Sequence, residues 1–185
     1  MSESFDKAQD KIIPAILASS VSDLESKLAE LPKEIKFVHI DVLEEDIWTH
    51  MDLNFEAHLM VKEPEKIVQR WIGRGAKRII AHKYIDLAGA AQFGLAFELD
   101  KAVENIENTD FVHLMSIAEI GEQGHPFDAN VFDRIKKVKE KFPNVLVSID
   151  GGVSTENYQK LLETGADRLI VGSHFKDLWN SLTKK

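Results

Sequence analysis

The stretch KFVHIDVLEED (residues 36–46) carries His39 and Asp41 among Phe37, Val38, Ile40 and Val42. Alternation along a strand puts Phe37, His39 and Asp41 on one face and the three aliphatic residues on the other. A buried carboxylate costs several kcal/mol unless it is paired, hydrogen-bonded or bound to a metal. FEAHLMV (55–61) repeats the pattern, with His58 on the face of Glu56 and Met60, and NVLVSID (144–150) ends on Asp150 before Gly151 and Gly152. Singly, a strand histidine reads as a hydrogen-bonded core residue and a strand-terminal aspartate as a helix cap. Four such residues at the same end of alternating strands point elsewhere. Two imidazoles and two carboxylates suit one divalent first-row ion, Zn2+ foremost, with Mn2+, Fe2+ and Co2+ as alternatives. His39, Asp41, His58 and Asp150 are its expected ligands. His113, two residues before Met115, reads as a core or supporting group. His82 ends a strand and could face the site, but no spacing makes it a ligand.

Glycine forms a second constellation. Gly151 and Gly152 precede a helix with Ser154 at its expected cap, and Gly172-Ser173 precede the last helix. Backbone N–H groups at such helix starts take phosphate, and the loops after strands seven and eight are where barrels place that site. These residues are the expected substrate and phosphate contacts.

The elements that must position these groups follow from periodicity. Apolar runs at 11–18, 36–42, 55–61, 77–82, 93–97, 111–117, 144–150 and 167–172 read as strands. Amphipathic runs at 22–31, 63–73, 99–107, 128–141, 155–163 and 174–182 read as helices. Near-continuous apolar strands alternating with helices predict an α/β fold with a parallel sheet. GAKRIIAH (75–82) and GADRLIVG (165–172) echo each other at the fourth and eighth strands, as two half-barrels would. The expected architecture is a single-domain (β/α)8 TIM barrel over 11–185 behind a polar tail at 1–10; an open doubly wound sheet is the alternative. A barrel usually takes about 200 residues or more, so a chain of 185 must economise. The segments after strands two and four are too short or too irregular for full helices, and the outer helices there are expected to be missing or shortened.

Bulk properties narrow the partners. A net charge of −8 argues against nucleic acid or an anionic membrane as partner. The absence of cysteine excludes disulfides, a thiolate zinc site and a cysteine nucleophile. No apolar run reaches the ~18 residues of a membrane span and the N-terminus lacks an apolar signal core, so a cytoplasmic protein is expected. Lost outer helices leave apolar barrel surface for another subunit to cover, which predicts a homo-oligomer.

The chain resembles the ribulose-phosphate 3-epimerase family. KIIPAILASS, VHIDV, EAHLMV, LMSI, SIDGGVSTEN and GADRLIVGS carry the resemblance, in family order and over most of the chain. It implies a metal held by His39, Asp41, His58 and Asp150, with Met60 and Met115 near it and Leu43 in place of a third methionine. It implies that Asp41 and Asp150 act as acid and base on opposite faces of a ketose phosphate. The reaction would be epimerisation at C3 through a metal-stabilised enediolate, most simply of D-ribulose 5-phosphate to D-xylulose 5-phosphate. Another ketose phosphate such as allulose 6-phosphate, or a non-catalytic descendant that binds metal or phosphosugar, are the alternatives. The departures are Ala15 where the family has serine, AEIGEQGH (118–125) where it has NPGFGGQ, and a lost HFVPN-like segment between strands two and three. Glu119 and Glu122 are expected to add negative charge where a phosphate-side loop should lie.

Overall fold

Eight short strands pair in sequence order, each parallel to the next, and the last closes on the first. They are β1 (Ile12–Leu17), β2 (Phe37–Val42), β3 (Asn54–Leu59), β4 (Arg78–Ala81), β5 (Gln92–Phe97), β6 (Phe111–Met115), β7 (Leu146–Asp150) and β8 (Arg168–Val171). The computed structural model describes residues 8–118, 120–122 and 124–183. Most of the expected tail, at 1–7, and Glu119 lie outside the described residues. Helix α1 (Val21–Ala29) follows β1, and α2 (Val68–Gly73) follows β3 behind a 3-10 turn at Pro64–Lys66. Helices α3 (Val131–Lys141), α4 (Tyr158–Thr164) and α5 (Phe175–Thr183) follow β6, β7 and β8. The sheet is thus a closed barrel rather than an open doubly wound one.

The two faces of the sheet do different work. Outward-facing Val38, Ile40, Val42, Ala57, Leu59, Val112, Leu114, Val147 and Ile149 join Leu24, Trp71, Ile135, Leu161 and Leu178 of the helices in one continuous apolar core. The inward face holds a small separate apolar cluster, Ile80, Ala96 and Phe111, together with buried Ile13, Met115 and Ile170. Beside these the interior carries an unusual number of polar groups: His39, Glu56, His58 and His113 are fully buried, with Ser148 1% exposed. Barrel interiors are ordinarily filled by bulky branched side chains. Here the hydrophobic driving force lies mainly between sheet and helices, and much of the interior is given over to charge and hydrogen bonding.

Among the described residues no helix follows β2 or β4, as the short segments predict, and none follows β5. The helix expected at 99–107 is therefore corrected. Its apolar spacing is real, with Ile106 buried and Val103 packed on the core. The Arg134 guanidinium, however, donates to the carbonyls of Glu98 (2.8 Å) and Lys101 (3.1 Å), which a helix there would need as acceptors. Asn105 also takes a φ of 55°, outside the right-handed helical range.

Between β2 and β3 a bare crossover does a helix's work. Ile47, Trp48, Met51 and Leu53 pack onto the core. Trp48 stacks obliquely on Phe55 at 5.1 Å and edge-on against Trp71 at 5.5 Å. Asp46 pairs with Arg70 and Arg74, whose guanidinium lies 4.7 Å from the Trp71 ring centroid. Trp48→Ala should therefore cost about 2–4 kcal/mol in urea unfolding, as large-to-small changes in packed sites do. Asp46→Asn should cost under about 1 kcal/mol, because its ion pairs are partly solvated.

Candidate functional site

Strand alternation and barrel register bring the four expected ligands together. In the parallel pairing Asp41 stands opposite His58, and Met115 opposite Asp150. One donor atom each from His39, Asp41, His58 and Asp150 lies within 4.8 Å of the other three. His39 Nε2 is 3.2 Å from Asp41 Oδ1 and 3.7 Å from Asp150 Oδ2. His58 Nδ1 is 3.8 and 3.5 Å from the same two oxygens. Four donors ~2.1 Å from a central ion stand about 3.4 Å apart in a tetrahedron, so these spacings fit one first-row divalent cation.

Hydrogen bonding behind the two imidazoles supports that fit. His58 Nε2 faces His82 Nε2 at 3.0 Å, with the two rings stacked, and His82 Nδ1 lies 3.4 Å from Glu98 Oε1. The Glu98 carboxylate, too poorly aligned for a hydrogen bond, favours the proton on His82 Nδ1 by its charge, which leaves His82 Nε2 to accept from His58 Nε2–H. His58 Nδ1 is then left as a lone pair. It is buried, lacks a hydrogen-bond partner, and looks between two carboxylates. Burial and the neighbouring histidines hold His58 below the usual imidazole range, and burial with His58 beside it pushes His82 down to about 4. A neutral lone pair facing two anions calls for a cation between them.

On the other side of the site His39 Nδ1 bonds to Glu56 Oε1 at 2.8 Å, and Arg78 Nη1 donates to Glu56 Oε2 at 2.9 Å. Burial opposes a charge on His39, but Asp41 and Glu56 outweigh it and raise its pKa well above the usual value. In the metal-free site a proton on His39 thus supplies part of the positive charge that the cluster lacks, and that proton must leave Nε2 for the nitrogen to ligate a cation. Burial likewise opposes ionised Glu56, yet His39 and Arg78 lower it to about 2. Asp150 is also held well below the carboxylate range: burial raises it, and the hydrogen bond from His113 with the charge of nearby His39 outweighs burial. His113 Nε2 lies 3.1 Å from Asp150 Oδ2, which makes it the supporting group the sequence suggested.

Above the cluster a pocket opens at the carboxyl ends of the strands. Asp41 and Asp150 form its floor, with Ala15, Met60 and Met115 beside them and Gly151, Gly152, Gly172 and Ser173 on one wall. His39 and His58 lie beneath, fully buried. All the sequence-predicted site residues therefore meet at this one mouth. Gly151 and Gly152 have φ of +111° and +63°, and a Cβ on them would come within 2.7 Å of Ile117 and 2.9 Å of the Phe127 backbone. Only glycine fits that turn, which leaves its backbone bare toward the pocket. Glu122 lines the same pocket, its side chain 74% exposed and 3.3 Å from His125 Nε2. His125 and His174 line the same pocket, and the sequence reading gave neither a role. Glu56, Arg78 and the part played by His82 were also missed. Glu56 alone carried a signal, since it shares the face of His58.

A family model described as the ribulose-phosphate 3 epimerase family matches residues 11–176. The ribulose-phosphate 3-epimerase of Schizosaccharomyces pombe is 25% identical over 197 residues, spanning 89% of this chain and 86% of its own. That of Bacillus subtilis is 26% identical over 197 residues, with 88% and 90% covered. Among solved structures, a tryptophan synthase complex from Pyrococcus furiosus superposes with a TM-score of 0.63 at 13% identity, covering 92% of this chain and 90% of that one. The 3-hexulose-6-phosphate synthase of Salmonella typhimurium gives 0.63 at 11% identity, with 90% of each chain covered. At such identities the solved structures speak for the barrel fold alone.

The charge arrangement has a measurable acid limb. Because Glu56 is lowered from 4.5 to about 2 on folding, its stabilisation is full above pH 4.5 and lost as pH falls through about 2. His39 is protonated in both folded and unfolded chains across that window and adds no slope. Wild-type unfolding free energy should drop by on the order of 3 kcal/mol more than that of Glu56→Gln between those limits, read from urea titrations of metal-free protein.

Proposed function

The chain belongs to the ribulose-phosphate 3-epimerase family, and we propose that it is an isomerase that inverts C3 of a ketose phosphate, D-ribulose 5-phosphate foremost. The observation that carries the reading is the placement of Asp41 and Asp150. They rise from β2 and β7 on different sides of the barrel mouth, and both approach the same His58 Nδ1, at 3.8 and 3.5 Å. Epimerisation beside a carbonyl needs one group to remove a weakly acidic proton and another to return one to the opposite face. Two carboxylates flanking a single substrate position meet that need.

Asp150, strongly favoured as the anion, serves as the base for one direction, and Asp41 serves the opposite face of the substrate. His113 holds the Asp150 carboxylate in place, while the Ser116 hydroxyl shares its one proton between the carbonyls of Asp150 (2.9 Å) and Gly151 (2.6 Å) and fixes the strand end. His39, Asp41, His58 and Asp150 would hold a divalent transition ion, Zn2+ foremost. That ion supplies Lewis acidity for the negative charge that develops on the substrate when the C3 proton leaves. Met60 and Met115 keep water away from the floor of the pocket. The bare backbone of Gly151 and Gly152, with Gly172 and Ser173 at the start of α5, receives the phosphate. Glu122 also lines the pocket, and its exposure to water and its pairing with His125 weaken its repulsion of a dianion there.

The test is incubation of metal-loaded protein with ribulose 5-phosphate in D2O. Xylulose 5-phosphate carrying deuterium at C3 is the expected product. Neither product nor exchange, from protein with full metal, would remove the reading; exchange with allulose 6-phosphate alone would move it to that sugar. Asp150→Asn should lower turnover by about 10²–10⁴, the usual range for removing a proton-transfer group, with the fold intact and metal content measured in parallel. His58→Ala should lose most of one bound divalent ion per chain, measured by elemental analysis.

A further inference from the structure

Among the described residues one fully buried carboxylate has no use in proton transfer to substrate, that of Glu56. Its side chain is 1% exposed, and its two oxygens are committed in opposite directions, one to His39 Nδ1 at 2.8 Å and one to Arg78 Nη1 at 2.9 Å. Arg78 is itself fixed: its Nε donates to Gln92 Oε1 at 3.2 Å, and its guanidinium stands 4.4 Å over the Phe37 ring. A chain of contacts thus runs from Phe37 and Gln92 at the closed end of the barrel, through Arg78 and Glu56, to the ring of His39 at the mouth. Burying a charge pair gives little net stability over well-packed apolar side chains. A second function for so costly a group is therefore worth seeking in what it touches.

We propose that Glu56, clamped by Arg78, is the positioning residue that makes His39 a metal ligand. Resting on the reading of the site as a metal centre, it adds a residue outside the ligand set. By accepting from Nδ1–H, Glu56 fixes the His39 tautomer and ring plane. Nε2 is left directed at Asp41 and Asp150, at 3.2 and 3.7 Å. A carboxylate behind an imidazole also strengthens the other nitrogen as a donor. His58 lacks such a backing, since the group behind it is the neutral His82. The two histidines are therefore unequal, and His39 is the one whose affinity is tuned from outside the ligand set.

The experiment uses metal-free full-length protein, with Zn2+ affinity read by competition against a chromogenic chelator and Co2+ by its visible absorption spectrum. Glu56→Gln should bind Zn2+ 10- to 100-fold more weakly than wild type, with displaced Co2+ bands. Arg78→Gln, which frees Glu56 without touching His39, should weaken binding about three- to tenfold and move the bands the same way. A merely structural Glu56 would lower the unfolding temperature of the metal-free protein and leave the Co2+ bands in place. Folded Glu56→Gln with Zn2+ affinity within twofold of wild type and an unchanged spectrum would overturn the proposal. Should that variant not fold, the same result from Arg78→Gln would do so. If wild type itself takes up neither Zn2+ nor Co2+, the metal centre is wrong and the role of Glu56 goes with it.

Discussion

Charge balance inside a closed barrel is the constraint on which the rest of this molecule depends. Three carboxylates, Asp41, Glu56 and Asp150, are gathered among four histidines in a space only a few ångströms across. Unpaired anions there would cost far more than a domain's whole net stability of about 5–15 kcal/mol. Arg78 answers for Glu56. Without a cation, a proton on His39 answers in part for Asp41, and a bound cation would take that proton's place at Nε2. One gap is left, between the Asp41 and Asp150 oxygens and the bare Nδ1 of His58. A divalent cation would close that gap, and the same cation would serve the proposed proton transfer beside a carbonyl. The feature that would make the barrel unstable is the one that gives it chemistry.

That interior has consequences for the outer layers. With the inside of the barrel partly polar, apolar burial must come mainly from the outward face of the sheet and the helices on it. A chain that has dispensed with helices after β2, β4 and β5 has less of that cover. The crossover between β2 and β3 makes up part of the deficit with Trp48 wedged against Phe55 and Trp71. After β5, Val103 and Ile106 are laid against the core by irregular chain, with Arg134 of α3 taking up the freed carbonyls. The economy is thus met by single large side chains and by side chain-to-backbone hydrogen bonds where a longer barrel would use helices.

Much of this was legible in the sequence, and what was legible shares a cause. A histidine or aspartate interrupting an apolar strand violates the local pattern, so His39, Asp41, His58 and Asp150 announced themselves. The alternation that exposed them also fixed their common face. Arg78 and His82 sit at the two ends of an apolar run, where polar residues break no rule. Glu56 was visible on the face of His58 but could not be given a partner, because its neighbours are set by the barrel's register. The helix at 99–107 was misread for a related reason: the apolar spacing is helical, but the competing donor, Arg134, lies more than thirty residues away in sequence. Patterns confined to one strand or helix could be read; pairings made by closure of the sheet could not.

The most direct test of the central claim is an anomalous-scattering map at the zinc absorption edge, from crystals of the full chain grown with one equivalent of Zn2+. The charge argument predicts a single strong peak bounded by His39 Nε2, Asp41 Oδ1, His58 Nδ1 and Asp150 Oδ2. An empty cluster, or a peak found only at surface histidines such as His174, would contradict it.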